Sequence, residues 1–213
     1  MLNVKYIYDY DGKSVNEYTL VNGHYCLSVI NLGASLIKLI VPNQLKKKES
    51  VHVRYHDYKM YQMNNNLSSI FYSQTGEPFI SYFDCQMIED GLLFTYKFAD
   101  QYLKVKYQLI DQLVLIHFNH NVQVPLSFQM TLNLSGNIKD TIENHIFVEE
   151  EDLICQNPLN GVRLVLSTNL PYTLNKQLDI KIGSLLNKGI TAKPNLGYKL
   201  VFELKNEGSI IIK

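Results

Sequence analysis

Residues 105–118 have the sequence VKYQLIDQLVLIHF, in which two apolar, β-branched runs of six residues are separated by Asp111-Gln112. Runs of this kind predict strands, and a two-residue connection between them predicts a β-hairpin. The second run is the more continuously apolar, so we expect its strand to be the more deeply buried of the two. Hairpins that follow one another along a chain build antiparallel sandwiches.

The same pattern recurs along the chain, with turn signals such as Asp11-Gly12 and Asn22-Gly23 between the apolar runs. Helical periodicity is weak and is limited to Gln177–Leu186, which also contains Gly183. The sequence therefore predicts an all-β, mostly antiparallel fold, and 213 residues suit a single domain over residues 1–213. The further predicted strands are Tyr25–Ile30, Leu36–Val41, Gly91–Phe98, Tyr102–Ile110, Gln112–Asn119, Val162–Ser167, Tyr198–Leu204 and Ser209–Ile212.

The composition excludes several classes of protein. Apolar residues make up 46% and charged residues 19% of the chain, which is typical of globular domains and not of disordered ones. Twenty basic and twenty acidic residues balance, and only Arg54 and Arg163 are arginines, so no nucleic-acid partner is expected. No apolar run approaches the ~18 residues that span a bilayer, so no membrane partner is expected either.

Cysteine and histidine residues give no sign of a metal site. Cys26, Cys85 and Cys155 are odd in number, widely spaced and without a CxxC pair, which indicates reduced thiols. His117 and His120 lie three apart, so their side chains point to opposite faces of a continuous strand. We therefore expect neither a metal nor another cofactor, and the absence of an apolar signal core after Met1 favours a cytoplasmic location.

Short motifs follow one another in a fixed order along the chain. Residues 21–43 have the sequence VNGHYCLSVINLGASLIKLIVPN, with Asn31, Gly33, Ala34 and the Pro42-Asn43 pair. VPLSFQMTLNLSGN follows at 124–137 and GVRLVLSTNLPYTL at 161–174. The first segment resembles the opening of the aldose 1-epimerase (galactose mutarotase) family and the other two resemble later strands, in the family's order; with further short matches the resemblance covers roughly two thirds of the chain. The resemblance implies a galactose mutarotase-like β-sandwich (supersandwich) in a shortened form.

The resemblance also implies a chemistry, in which a base removes the proton of the anomeric hydroxyl while an acid protonates the ring oxygen. In the family a glutamate is the base, a histidine is the acid, and an arginine and a second histidine hold the sugar. The position of the acid falls here on Gln129, or on Met130 or Thr131 if the alignment slips, and none of these side chains exchanges a proton near neutral pH.

The other family groups are also missing from the sequence. Residues 64–89 contain no arginine or histidine, and residues 174–192 contain no glutamate and only Asp179 as an acid. The sequence therefore predicts an aldose 1-epimerase-like, carbohydrate-binding protein without efficient mutarotase activity, a pseudoenzyme.

Three residues are the candidates for binding a monosaccharide: Gln129, Asn133 and His145. Amide and imidazole groups are ordinary hydrogen-bonding partners of sugar hydroxyls on a β surface. Each also has a purely structural interpretation, in which Gln129 is satisfied by the backbone and His145 fixes a turn.

Two alternatives stay open at this point. The first is an active epimerase with a relocated acid and base, drawn from His56 or His145 together with Asp57, Glu143 or Glu149. The second is an interaction module, in which the shortened sandwich exposes a sheet edge and forms a homodimer through it.

Overall fold

The structure, a computed structural model, describes residues 1–55, 57–63, 67–133, 146–157, 160–177 and 197–213. These ranges form strands and one short helix. The elements are β1 (Leu2–Tyr10), β2 (Lys13–Asn22), β3 (Tyr25–Ile30), β4 (Ser35–Pro42), β5 (Lys48–Ser50), α1 (Met60–Met63), β6 (Ser68–Tyr72), β7 (Asp84–Ile88), β8 (Gly91–Phe98), β9 (Gln101–Ile110), β10 (Leu113–His120), β11 (Leu126–Asn133), β12 (Ile146–Glu149), β13 (Asp152–Asn157), β14 (Val162–Thr168), β15 (Tyr172–Gln177), β16 (Gly197–Glu203) and β17 (Glu207–Ile212).

The strands form three sheets with antiparallel pairing throughout the described residues. A five-stranded sheet has the order β1-β2-β3-β4-β5, and an eight-stranded sheet has the order β12-β13-β14-β17-β10-β9-β8-β7. A four-stranded sheet has the order β15-β16-β11-β6, so β11 is one of its two inner strands. The prediction of an all-β, mostly antiparallel fold is confirmed.

Residues 51–53 join the four-stranded sheet to the five-stranded one. The Val51 amide donates to the Leu39 carbonyl of β4 at 2.9 Å, and the Val51 carbonyl accepts from the Asn133 amide of β11 at 2.9 Å. The chain that follows β5 therefore pairs with β4 of the five-stranded sheet and with the end of β11 in the four-stranded sheet. The joined sheets face the eight-stranded sheet, as the contact of Tyr18 with Phe94 shows, with ring centroids 5.6 Å apart.

One large apolar core lies between these layers and includes residues of all three sheets, among them Leu27, Phe118 and Phe128. The predicted hairpin is present as β9 and β10, but the expectation that its second strand is the more deeply buried is wrong. Both strands alternate buried and half-buried residues, because the eight-stranded sheet packs on the core with one face only.

Helical structure is limited, within the described ranges, to the single turn of α1. The predicted helix at Gln177–Leu186 lies outside the described residues except for Gln177, which ends β15. No helix in the described part of the chain is long and apolar enough to cross a membrane.

The three cysteines are free thiols. Cys26 and Cys155 are buried and Cys85 is half-buried. Burial raises the pKa of the Cys85 and Cys155 thiols to about 12, so both stay protonated at neutral pH.

Candidate functional site

Strand β11 carries a row of polar side chains on the face that points away from the main core. Successive residues of a strand point to opposite sides, so a strand that packs on a core with alternate residues presents the others elsewhere. The residues in the main core are Leu126, Phe128, Met130 and Leu132. The residues on the opposite side are Ser127, Gln129, Thr131 and Asn133, and we call this side the β11 polar face.

Two neighbouring strands add side chains to this face. Strand β16 pairs with β11 without a register shift, so Lys199 lies opposite Thr131 and Val201 lies opposite Gln129. On the other side of β11, β6 places Ser69 opposite Gln129. The stretch between residues 64 and 89, where the resemblance implies the family's arginine and histidine, thus contributes serine to this face.

The β11 polar face contains buried oxygen atoms that lack hydrogen-bond partners. Within the described part of the chain, Thr131 Oγ1 and Asn133 Oδ1 are buried and have no partner. A buried, unsatisfied polar group costs roughly 1–3 kcal/mol, and native proteins contain few of them. Two such oxygens two residues apart on one strand face mark this part of the sheet as a place where a ligand hydroxyl or a water would be stabilised.

Lys199, which lies opposite Thr131 in the strand pairing, adds a positively charged side chain to this face. Partial burial lowers the pKa of its amine from the ordinary value of lysine. The nearest acid on the same face of β16 is Glu203, which lies opposite Ser127 and is exposed. At ~3.3 Å per residue, the four-residue separation puts the backbones of Lys199 and Glu203 about 13 Å apart.

The structure brings together two of the three predicted site residues. Gln129, with 3% of its surface exposed, and Asn133 lie on the same face of β11. Gln129 also takes part in an interaction within the protein. His145 lies outside the described residues.

Two residues of this face, Thr131 and Lys199, were not among the predicted binding residues. Thr131 entered only as a slipped position for the acid, and Met130, the other slipped position, packs in the main core. The alternation of polar and apolar residues over 127–133 is the signal that identifies Thr131, whereas Lys199 becomes relevant only through the pairing of β11 with β16.

The relocated acid–base residues, as far as they are described, have structural contacts of their own. Asp57 Oδ1 accepts a hydrogen bond from the Lys59 amide at 2.9 Å, and Glu149 forms an exposed ion pair with Arg163 at 2.7 Å on the eight-stranded sheet. His56, Glu143 and His145 lie outside the described residues.

His52 is the buried histidine nearest to β11 in the strand pairing, where it forms an isolated bridge with Leu132. Its ring Nε2 contacts Ser68 Oγ, and its Nδ1 has no partner among the described residues. Burial lowers the pKa of His52 to about 3, so the ring is neutral at physiological pH and cannot serve as a proton donor there.

Comparison with solved structures identifies the architecture. The chain is similar to an aldose epimerase homologue from C. elegans, with a TM-score of 0.65 and 11% identity over 93% of this chain and 98% of that one. A galactose 1-epimerase from Lactobacillus acidophilus gives a TM-score of 0.62 and 12% identity over 100% and 98% of the two chains. The chain has an aldose 1-epimerase-like fold.

The fold by itself does not decide the activity of the chain. The periplasmic domain of YidC from Thermotoga maritima is also similar, with a TM-score of 0.52 and 9% identity over 92% of this chain and 81% of that one. No protein-family profile matches the sequence, and no curated protein is significantly similar to it. The predicted galactose mutarotase-like sandwich is thus confirmed as a fold, and function has to be argued from the site.

Proposed function

We propose that the chain is an aldose 1-epimerase-like protein that binds a monosaccharide on the β11 polar face and lacks efficient mutarotase activity. The observation that carries this proposal is the pair of buried oxygens without partners among the described residues, Thr131 Oγ1 and Asn133 Oδ1. The aldose 1-epimerase-like fold supports it, because solved structures with that architecture include a galactose 1-epimerase. Gln129, which lies on the same face of β11, and His145 stay proposed binding residues.

The chemistry of this face suits a polyhydroxylated ring. Each sugar hydroxyl both donates and accepts a hydrogen bond, so it can satisfy an amide or hydroxyl oxygen and accept from an ammonium group. Asn133 and Thr131 offer the acceptors, and Lys199 offers donors from the adjacent strand. A site built of a few fixed polar groups on a rigid sheet is typical of small-molecule binding.

The same residues argue against efficient mutarotation. Ring opening requires a base at the anomeric hydroxyl and an acid at the ring oxygen of the same bound sugar. Gln129, Thr131 and Asn133 cannot exchange protons near neutral pH. Among the described residues, Lys199 is paired with Thr131 and Asn175, neither of which is an acid, and Glu203 lies at the exposed end of the face.

Replacing Thr131 by valine tests this proposal through stability and binding together. Because Thr131 Oγ1 has no partner in the described part of the chain, its removal should raise the free energy of unfolding by about 1 kcal/mol. The wild-type protein should broaden the proton resonances of galactose when the sugar binds. Thr131→Val should remove this broadening, because the sugar loses a buried contact. Urea unfolding and proton NMR of the sugar measure the two effects.

A matched Thr→Val control is available on the eight-stranded sheet. Thr95 is half-buried on β8 and lies opposite Asp84 and Lys104. Its replacement by valine should leave the broadening of the sugar resonances unchanged and should change the free energy of unfolding by no more than about 0.5 kcal/mol. A Thr131→Val protein that is destabilised, or that broadens galactose as the wild type does, would remove the observation on which the proposed site rests.

Self-association is a second candidate function, favoured by the exposed edge of the five-stranded sheet. Strand β1 has nine residues, pairs with β2, and exposes Val4 and Tyr6. A long edge strand with exposed apolar side chains can pair with a second copy. The proposed homodimer would form there, and light scattering at high micromolar concentration would detect it.

A cytoplasmic location and a single domain over residues 1–213 complete the proposal. Free thiols at all three cysteines support the location, because reduced cysteines are the rule in that compartment. The shared core of the three sheets supports the single domain.

A further inference from the structure

A small pocket lined by tyrosines and an arginine lies apart from the β11 polar face. Its volume is about 150 Å³, and its lining residues are Ile37, Arg54, Tyr55, Tyr58 and Tyr61. Ile37 and Tyr61 belong to a second, smaller apolar cluster, separate from the main core. None of the five lining residues is on the β11 polar face.

Contacts among the tyrosines hold the walls of this pocket in place. The rings of Tyr55 and Tyr61 meet edge to face, with centroids 5.0 Å apart, and the ring of Tyr58 lies 6.5 Å from that of Tyr61. The Tyr58 hydroxyl donates to Glu17 Oε2 at 2.7 Å, and the Tyr61 hydroxyl accepts from the Tyr55 amide at 3.2 Å. Walls fixed before binding reduce the ordering cost that a ligand would otherwise impose.

The charges around the pocket leave the Arg54 guanidinium available to an incoming anion. In the described ranges no carboxylate lies within 4 Å of the Arg54 guanidinium. The nearby Glu17 carboxylate is engaged by the Tyr58 hydroxyl, and Lys5 adds positive charge 5.9 Å from the Tyr58 ring centroid. A guanidinium presents a planar fork of donors that matches a carboxylate with two parallel hydrogen bonds.

We propose that this pocket binds an acidic monosaccharide of the uronate class, with Arg54 holding the carboxylate and the tyrosine rings packing against the sugar ring. A volume of about 150 Å³ encloses only part of one monosaccharide, so the sugar ring would lie against the tyrosines while its carboxylate reaches the exposed Arg54 side chain. Aromatic walls favour a ring over a simple anion, because they offer an apolar surface together with hydroxyl groups. This site is independent of the proposed sugar site on β11.

The test is titration calorimetry of the full chain with D-galacturonate, in the wild type and in Arg54→Gln. Loss of a hydrogen-bonded charge pair should weaken galacturonate binding by about tenfold or more. Arg163→Gln is the matched control, because Arg163 is the second of only two arginines and lies on the eight-stranded sheet. Galacturonate affinity should be unchanged in this control.

Further probes decide between the classes of ligand. D-galactose has the ring without the carboxylate and acetate has the carboxylate without the ring, and neither should displace galacturonate at equal concentration. Arg54→Lys should bind less tightly than the wild type, because an ammonium group lacks the planar fork. Equal affinity in Arg54→Gln, or displacement by acetate or inorganic phosphate, would overturn the proposal.

Thr131→Val separates this site from the one on β11. Galacturonate binding that survives in Thr131→Val and fails in Arg54→Gln supports the tyrosine-lined pocket, whatever happens to galactose broadening. Galacturonate binding that is lost in Thr131→Val would place the ligand on the β11 polar face and would overturn the pocket proposal alone.

Discussion

Replacing Phe128 by alanine is expected to lower the free energy of unfolding by about 3–5 kcal/mol, the range for a buried aromatic side chain in a packed core. Phe128 is fully buried on β11 and lies between the joined sheets and the eight-stranded sheet. Its ring centroid is 5.1 Å from that of Phe118 and 6.5 Å from that of Phe202. Truncation would leave a cavity between these rings. Urea unfolding followed by circular dichroism measures the loss.

Phe98 provides the matched control for this core substitution. It ends β8 with 68% of its surface exposed, so Phe98→Ala should change the free energy of unfolding by less than about 0.5 kcal/mol. If both substitutions cost the same, Phe128 does not occupy the centre of the interface between the sheets. The register of β11, and with it the β11 polar face, would then be wrong.

Acid should destabilise the protein through His52 by about 1.4 kcal/mol per pH unit below pH 6.5. Burial lowers the pKa of this histidine from 6.5 to about 3 in the folded state. Between these values the unfolded chain binds a proton that the folded chain does not, so stability falls as the pH falls and levels off near pH 3. Urea midpoints from pH 7 to pH 4 measure the slope.

Carboxylates also titrate in acid, so the contribution of His52 is obtained by comparing the pH dependence of the free energy of unfolding in the wild type and in His52→Gln. The variant should lose less stability between pH 7 and pH 4. His117→Gln is the comparison: the pKa of His117 is lowered too, by burial and by Lys106, but its ring is partly exposed and hydrogen-bonded to Ser209, so we expect a smaller change. Identical slopes for wild type and His52→Gln would show that His52 is not buried in its neutral form.

Much of the strand content follows from local patterns in the sequence. The strands β3, β4, β8, β9, β10, β14, β16 and β17 coincide with predicted runs to within one or two residues at each end. Local patterns do not predict β1, because it is mostly exposed and alternates poorly, although Asp11-Gly12 predicts the turn that connects it to β2. Edge strands are held by their neighbour more than by a buried face, so their own sequence carries little periodic signal.

The site could be predicted only in part. The resemblance located Gln129 and Asn133, and the alternation of β11 accounts for their common face. Lys199 lies 68 positions beyond Thr131 along the chain, and its position across from that residue depends on a strand register that no local pattern encodes. The tyrosine-lined pocket could not be predicted from local patterns either, because it combines a residue of β4 with residues around α1.

The central claim is that the β11 polar face binds a sugar without interconverting its anomers, and two-dimensional exchange NMR on glucose and galactose tests it most directly. The rate of conversion between α and β anomers is compared with a buffer blank while the sugar line widths are recorded in the same samples. We expect selective line broadening of the sugar with a conversion rate equal to the blank. A conversion rate that rises in proportion to protein concentration would contradict the account and would show that an acid and a base act in this fold.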